Sequence, residues 1–334
     1  MAIQTANAET FRKIFMGGVR WLSFHKDILN DMNVYPVADG DTGTNMYLTL
    51  RGAVSSFKLA EDGSISALMK AISKGALFGA RGNSGVILSQ IIAGFARELK
   101  DKNELNVKDL APAFLNAKNR AYISVSDPKE GTILTLIRVL SERLLLLDPD
   151  KNDLISFLEY ICVESKKILN DSRDLLEALK ENNVLDAGGQ GFVYMLEGML
   201  KAARYEEFKK ISSEIHDNKN VIKNISEKIK NRYCVELSVK LTNYDFFALK
   251  PSLSLIGDSL VVANLEDILK VHIHTNNPEK IKRLCSDYGK IINEKCDDMK
   301  KQHIELIIER QNEFKEISFY TKVKTAILAV CAGE

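Results

Sequence analysis

The residues with the most chemistry in the least space are Asn33-Val-Tyr-Pro-Val-Ala-Asp39-Gly40-Asp41-Thr42-Gly43-Thr44-Asn45. Asp39 and Asp41 flank one glycine, and two carboxylates that close repel unless a cation lies between them. Few, hard oxygen ligands suit Mg²⁺, which shares its shell with water and substrate phosphates. Asn33 is the third oxygen candidate. Gly43 permits close backbone approach, and the hydroxyls and amide of Thr42, Thr44 and Asn45 can donate to phosphate. The stretch reads as a metal–nucleotide site; the competing reading is an Asp-Gly turn with solvated carboxylates.

A second segment, Gly79-Ala80-Arg81-Gly82-Asn83-Ser84-Gly85, precedes a helix expected from about Val86. Glycines before a helix N-terminus make an anion site, because free N–H groups and the positive dipole end both favour phosphate. Gly82, Asn83 and Ser84 are the candidate nucleotide contacts, and Arg81 could neutralise a phosphoryl group in transit. The alternative is a loop capped by Ser84. The Gly-Lys-Ser/Thr ending of a P-loop is missing. Two weaker segments, Glu130-Gly131-Thr132-Ile133-Leu134 and Asp186-Ala187-Gly188-Gly189-Gln190-Gly191, also place small or polar groups at helix starts, where capping is the plainer reading.

A different chemistry stands later in the chain. Val271-His272-Ile273-His274 sets both imidazoles on one strand face, about 7 Å apart. Cys234 lies on the polar face of another strand. Two histidines and a thiolate make a tetrahedral Zn²⁺ set with one position open. Solvated surface histidines beside a free cysteine are the competing reading. Asp258, Cys285, Cys296 and His303 are the candidates for a fourth ligand.

The elements that must position these groups fall into two kinds. Phe11, Ile14, Phe15, Val19 and Leu22 form a helical stripe, and similar stripes recur through residue 205 without a period-2 run. About eight helices are expected there, with the glycine-bearing polar segments between them. Residues 206–230 are rich in Lys, Glu, Asn and Ser and read as a linker or a solvated helix. From Tyr233 the period becomes two. Strands are expected at 233–241, 259–264, 269–274 and 290–294, with helices at 245–256 and from Pro278. The resulting order β-α-β-β-α-β is ferredoxin-like. A charged helix is expected at 297–314. The apolar run at 325–330 reads as the first strand of a domain cut short.

The chain has 334 residues, 45% hydrophobic residues and a net charge of +1 from 46 basic and 45 acidic side chains. Several domains are expected, and the charge balance argues against a nucleic-acid binder. No secretory signal or membrane-length apolar run is legible. Five scattered cysteines fit a reducing cytoplasm.

The segments at 33–46, 79–90, 130–134 and 184–191, with Tyr233–Glu236 and Lys270–Asn276, resemble the ATP-binding component of bacterial fatty acid kinase. The kinase domain of that component is similar to the nucleotide-binding subunit of dihydroxyacetone kinase. The resemblance implies an all-α up-and-down barrel of eight helices (1–205), then an α+β middle domain (231–317), then the opening of a DegV-like domain (318–334). It implies ATP and one or two Mg²⁺ held at one end of the barrel by Asp39 and Asp41. Asn33 stands where the dihydroxyacetone enzymes carry a further aspartate. It matches Thr42–Asn45, Asn83–Ser84, Thr132–Ile133 and Asp186–Gly188 to nucleotide contacts, and Cys234, His272 and His274 to a Zn²⁺ site. The expected activity is phosphorylation of a fatty acid carboxylate, presented by a DegV-type binding protein, within a cytoplasmic homodimer. Three alternatives stay open: a dihydroxyacetone-type kinase, a non-catalytic nucleotide-binding scaffold, and a zinc hydrolase built on the Cys/His set.

Overall fold

The computed structural model describes residues 5–60, 63–149, 153–204, 230–242 and 248–301. The first part is helical: α1 (Ala8–Asp31), α2 (Thr42–Ser55), α3 (Ile65–Gly79), α4 (Gly82–Glu98), α5 (Val107–Ser124), α6 (Ile133–Leu144), α7 (Leu154–Ser172), α8 (Glu177–Asn182) and α9 (Ala187–Ala203). All but the six-residue α8 run twelve residues or more. A two-residue ladder, β1 (Thr5–Ala6) with β2 (Leu105–Asn106), is too short to leave a periodic signal. Each of α1 to α6 packs on the next helix in sequence, α7 packs on α9, and α9 returns to α1.

Local chemistry explains the helix ends. Asn7 caps α1 by accepting the Thr10 N–H at 2.9 Å, and Asp153 caps α7 by accepting the Ser156 N–H at 2.8 Å. The buried stripe of α1, including Phe11, Phe15, Leu22 and Leu29, faces the core. Two expected boundaries shift. The helix expected near Val86 begins at Gly82, because the Gly85 N–H already reaches the Arg81 carbonyl at 3.0 Å. Ser84 therefore lies inside the first turn rather than at the cap. Likewise α2 begins at Thr42, so Thr42–Asn45 form a first turn rather than a loop.

The second part is a four-stranded antiparallel sheet with two helices: β3 (Tyr233–Leu241), α10 (Leu249–Ser254), β4 (Gly257–Leu265), β5 (Ile268–Thr275), α11 (Pro278–Ser286) and β6 (Gly289–Asp298). The strand order is β4-β5-β3-β6, and along the chain the elements run β-α-β-β-α-β. Val235, Leu237, Val239, Leu269, Val271 and Ile273 form one face and bury Leu249, Leu253, Ile281 and Cys285 of the helices. β6 is longer than the expected 290–294 and takes residues 297–298 from the predicted charged helix. The rest of that helix beyond residue 301, most of the 206–230 segment and the 325–330 strand lie outside the described residues.

The other face of the sheet is where alternation misleads. It is polar in sequence, yet β5 is buried along its whole length. That face lies against the helical part. Val261, Ala263 and Ile268 join the helical core. Val125 bridges Val261, the Ser126 N–H donates to the Leu260 carbonyl at 3.1 Å, and Arg120 donates to the Asn264 carbonyl at 2.6 Å. Lys250 Nζ donates to the carbonyls of Ile123 at 2.6 Å and Val125 at 2.9 Å.

Candidate functional site

A cavity of about 490 Å³ opens between the two parts. Asn33, Asp39, Asp41, Thr42 and Asn45 line it from one helix start, Gly82–Ser84 from a second, and Thr132, Ile133, Asp186 and Gly188 from two more. The opposite wall carries Cys234, His272 and His274. The two chemistries that the sequence presents as separate sites therefore face one space.

The aspartate pair sits on the turn into α2, where Gly40 adopts φ +68°, a left-handed conformation that costs glycine little. Burial, then the neighbouring Asp41, push Asp39 well above the usual carboxylate range, against a hydrogen bond from Asn33. That bond, Asn33 Nδ2 to Asp39 Oδ1 at 2.6 Å, makes Asn33 a support for the carboxylate. A carboxylate partly withdrawn from water beside a second one is unfavourable until a cation joins them. The pair fits a divalent ion on that ground.

Helix starts converge on the same space. A Cβ on Gly82, which has φ +57°, would be strained there and would stand 2.3 Å from Asn45 Nδ2, displacing that amide where the start of α4 meets the first turn of α2. Asn83 Oδ1 is buried with no partner among the described residues. Asp186 Oδ2 accepts both the Gly189 N–H at 2.7 Å and the Ile133 N–H at 2.8 Å, tying α9 to α6. Burial pushes this carboxyl up to about 6, against those two bonds. The Ile133 N–H is thus already engaged. Thr132 Oγ1 donates to the Lys129 carbonyl at 2.8 Å and accepts the Leu134 N–H at 3.3 Å, the capping role.

Four predicted residues do not reach the cavity. Gly43 faces α1, where a Cβ would lie 2.0 Å from the Lys26 carbonyl oxygen. Thr44 also faces α1, donating its N–H to Asn30 Oδ1 at 3.0 Å. Ala187 is buried at the start of α9. Arg81 turns to the junction between the two parts: its Nη1 donates to the Ala80 carbonyl at 2.9 Å and lies 3.8 Å from Glu236 Oε2. Helical periodicity explains Gly43, Thr44 and Ala187, since residues of one helical turn cannot all face the same way, while Arg81 stands before α4 in extended backbone.

Cys234, His272 and His274 offer ligand atoms all within 4.8 Å of one another. Cys234 Sγ lies 3.8 Å from His272 Nδ1. Zn–S near 2.3 Å and Zn–N near 2.1 Å at tetrahedral angles ask for ~3.6 Å between such atoms. Both imidazoles are buried, and His272 Nε2 has no partner among the described residues. Burial, then His272, draw His274 down to about 3, which keeps it the neutral base that metals take. Burial, then Glu236, Asp39 and Asp41, raise the Cys234 thiol well above its usual range, so a nearby cation would favour its thiolate. The set fits a zinc ion. Asp258 Oδ1 lies 3.7 Å from His274 Nδ1 and is the only fourth-ligand candidate among the described residues on the cavity wall. Cys285 is buried under the opposite face and Cys296 is exposed, while His303 lies outside the described residues.

Two further residues, Glu236 and Lys270, have no role assigned from sequence alone. Both are buried, 4% and 1% exposed. Burial draws Lys270 down to about 8, against the pull of Glu236. The only signal in the sequence is two charged residues in the same alternation as Cys234 and His272, which on a solvent-covered face would be unremarkable.

Comparison with known families decides the lineage. Residues 36–201 match the DAK2 domain, and residues 230–306 match the FakA-like middle domain of fatty acid kinase. This chain joins a DAK2 domain to a FakA-like middle domain, the make-up of a FakA-like kinase subunit. An uncharacterized protein of Staphylococcus haemolyticus (strain JCSC1435) is 37% identical over 347 residues, covering 99% of this chain and 62% of the relative. An uncharacterized protein of Staphylococcus aureus (strain USA300) is 37% identical over 345 residues, with the same two shares. The chain thus spans 62% of the length of these relatives. Among solved structures, it is similar to the dihydroxyacetone kinase from C. freundii in complex with AMP-PNP and Mg²⁺. The TM-score is 0.45 and the identity 18%, with 60% of this chain and 35% of that chain covered. That likeness is too distant to place any residue. No helix among the described residues is long and apolar enough to cross a membrane.

Proposed function

We propose that this chain is the ATP-binding kinase component that phosphorylates the carboxylate of a fatty acid, held by a separate DegV-type binding protein, to give an acyl phosphate. The observation that carries the reading is the half-buried Asp39–Asp41 pair facing a cavity ringed by helix starts, in a chain with a FakA-like middle domain. The helix circuit corresponds in this reading to the eight-helix barrel, and the assembly to a cytoplasmic homodimer.

Asp39 and Asp41 hold Mg²⁺ in this scheme, with Asn33 supporting Asp39. When bound, the ion would offset charge on the β- and γ-phosphate oxygens. The N–H groups of Asn83 and Ser84, next in line at the start of α4, and the side chains of Thr42 and Asn45 receive the phosphates. Thr132 and Gly188 border the nucleotide, while Asp186 and Ile133 hold two helix starts at fixed spacing. The acceptor carboxylate is already ionised at neutral pH and needs no base. Its oxygen forms the new bond to the γ-phosphorus as the bond to the ADP oxygen breaks. The demand on the protein is positioning and charge.

The DAK2 match supports a second reading, phosphorylation of a small hydroxylated substrate such as dihydroxyacetone. The test is ATP consumption with dihydroxyacetone alone against fatty acid plus a DegV-type protein. Turnover only in the second mixture supports the acyl reading; turnover with dihydroxyacetone alone overturns it.

A further inference from the structure

One carboxylate touches both chemistries of the cavity. Glu236 lies two residues after Cys234 on β3, so the two side chains leave the same face of the strand. Its Oε1 accepts the backbone N–H of Gly82, the first residue of α4, at 2.5 Å. The same Oε1 lies 3.5 Å from His272 Nδ1. Its Oε2, 3.8 Å from Arg81 Nη1 and 3.9 Å from Lys270 Nζ, is buried without a hydrogen bond among the described residues. A charge this deeply buried is costly to hold and costly to disturb.

The geometry on the helical side gives little slack. Gly82 is pressed on Asn45, where even a methyl group would collide. Any shift of the Gly82 amide therefore reaches the Asn45 side chain and, along α4, Asn83 and Ser84, all of which face the cavity. Glu236 does not compete with a phosphate for those two residues. It takes the N–H behind them and leaves theirs as the next orphan donors of the helix.

The geometry on the sheet side makes Glu236 responsive. The ring nitrogen that it approaches is also the one 3.8 Å from Cys234 Sγ, and the other ring nitrogen has no partner among the described residues. The 3.8 Å spacing from Cys234 Sγ assigns Nδ1 to a cation bound by Cys234, His272 and His274, so loading the set puts positive charge beside Glu236 Oε1, which lies 3.5 Å from the same nitrogen. A buried carboxylate is drawn strongly to a cation that close. Loading thus changes what Glu236 faces, and it also adds positive charge to the wall opposite Asp39 and Asp41.

We propose that Glu236 is a positioning residue that links the Cys234–His272–His274 set to the start of α4, so that metal loading tightens nucleotide binding. The proposal rests on the cavity being a nucleotide site, as argued under the proposed function. Linkage makes the effect reciprocal: nucleotide must tighten metal binding by the same factor.

The test is calorimetric titration of the whole chain with AMP-PNP at saturating Mg²⁺, before and after loading with one equivalent of Zn²⁺. Wild type should bind nucleotide at least about fivefold more tightly when loaded, within the usual range of coupling. Glu236→Ala should still take up Zn²⁺ yet show less than about a twofold difference. Glu236→Gln, which keeps an oxygen for the Gly82 N–H, should recover part of the effect. Cys234→Ser should show no response to Zn²⁺. Amide exchange read on wild type alone covers the case of a variant that fails to fold: the Gly82–Ser84 segment should exchange more slowly once zinc is present. Equal nucleotide affinity of wild type with and without zinc, or an undiminished zinc effect in Glu236→Ala, overturns the link while leaving the nucleotide site standing. Absence of any nucleotide binding in loaded wild type removes the nucleotide site itself, and the link with it.

Discussion

Asp186 offers a quantitative test of how the helix starts are held. Its Oδ2 accepts two backbone N–H groups from different helices, at 2.7 and 2.8 Å, yet burial still lifts it from 3.8 to about 6. A carboxyl raised in the folded state binds its proton more tightly there than in the unfolded chain. Stability is therefore greatest below the unfolded value, falls as pH rises from about 4 through about 6, and is level above that. A rise of about two units at ~1.36 kcal/mol each gives a deficit of about 3 kcal/mol at neutral pH. Asp186→Asn cannot ionise and lacks this slope. Any constant cost of its extra amide group cancels when one pH is compared with another. At about 2–4 °C per kcal/mol for a domain of this size, the melting temperature of the variant should gain about 6–12 °C relative to wild type between pH 4 and pH 7.5. Thermal melts of both proteins across that range provide the assay. Parallel curves would refute the claim that Asp186 is a strained, shared cap.

Other outcomes follow from the same geometry. Gly43→Ala drives a methyl group against the Lys26 carbonyl and Leu29, and should cost about 1–3 kcal/mol or more; an unchanged melting temperature would contradict the placement of α2 on α1. Zinc measured by elemental analysis should approach one ion per chain in wild type and be lost in Cys234→Ser. Equal metal content in the two would dismiss the Cys/His set.

Helical stripes such as Phe11, Ile14 and Phe15, and the alternation from Tyr233, are legible because burial on one side of an element imposes its period. The glycines at the helix starts are legible for a related reason, since Gly40 and Gly82 stand where a side chain would be strained or collide. Facing within a turn is less accessible. Gly43 and Thr44 lie among cavity residues in sequence, but they point to α1 because a helix turns about 100° per residue, and Arg81, in extended backbone ahead of α4, turns to the junction. Least accessible is the docking of the sheet. Polar alternation at His272, His274, Glu236 and Lys270 reads as solvated because nothing local shows that another part of the chain covers that face. Long-range burial converts those residues from surface to interior and brings the Cys/His set opposite Asp39 and Asp41.

The most direct test of the account is titration of the whole chain with AMP-PNP, with and without Mg²⁺, for wild type, Asp39→Ala and Asp41→Ala. The account predicts binding by wild type that depends on Mg²⁺ and is lost in both variants, each of which retains its helical circular dichroism. Binding of equal strength without the ion, or in either variant, would contradict it.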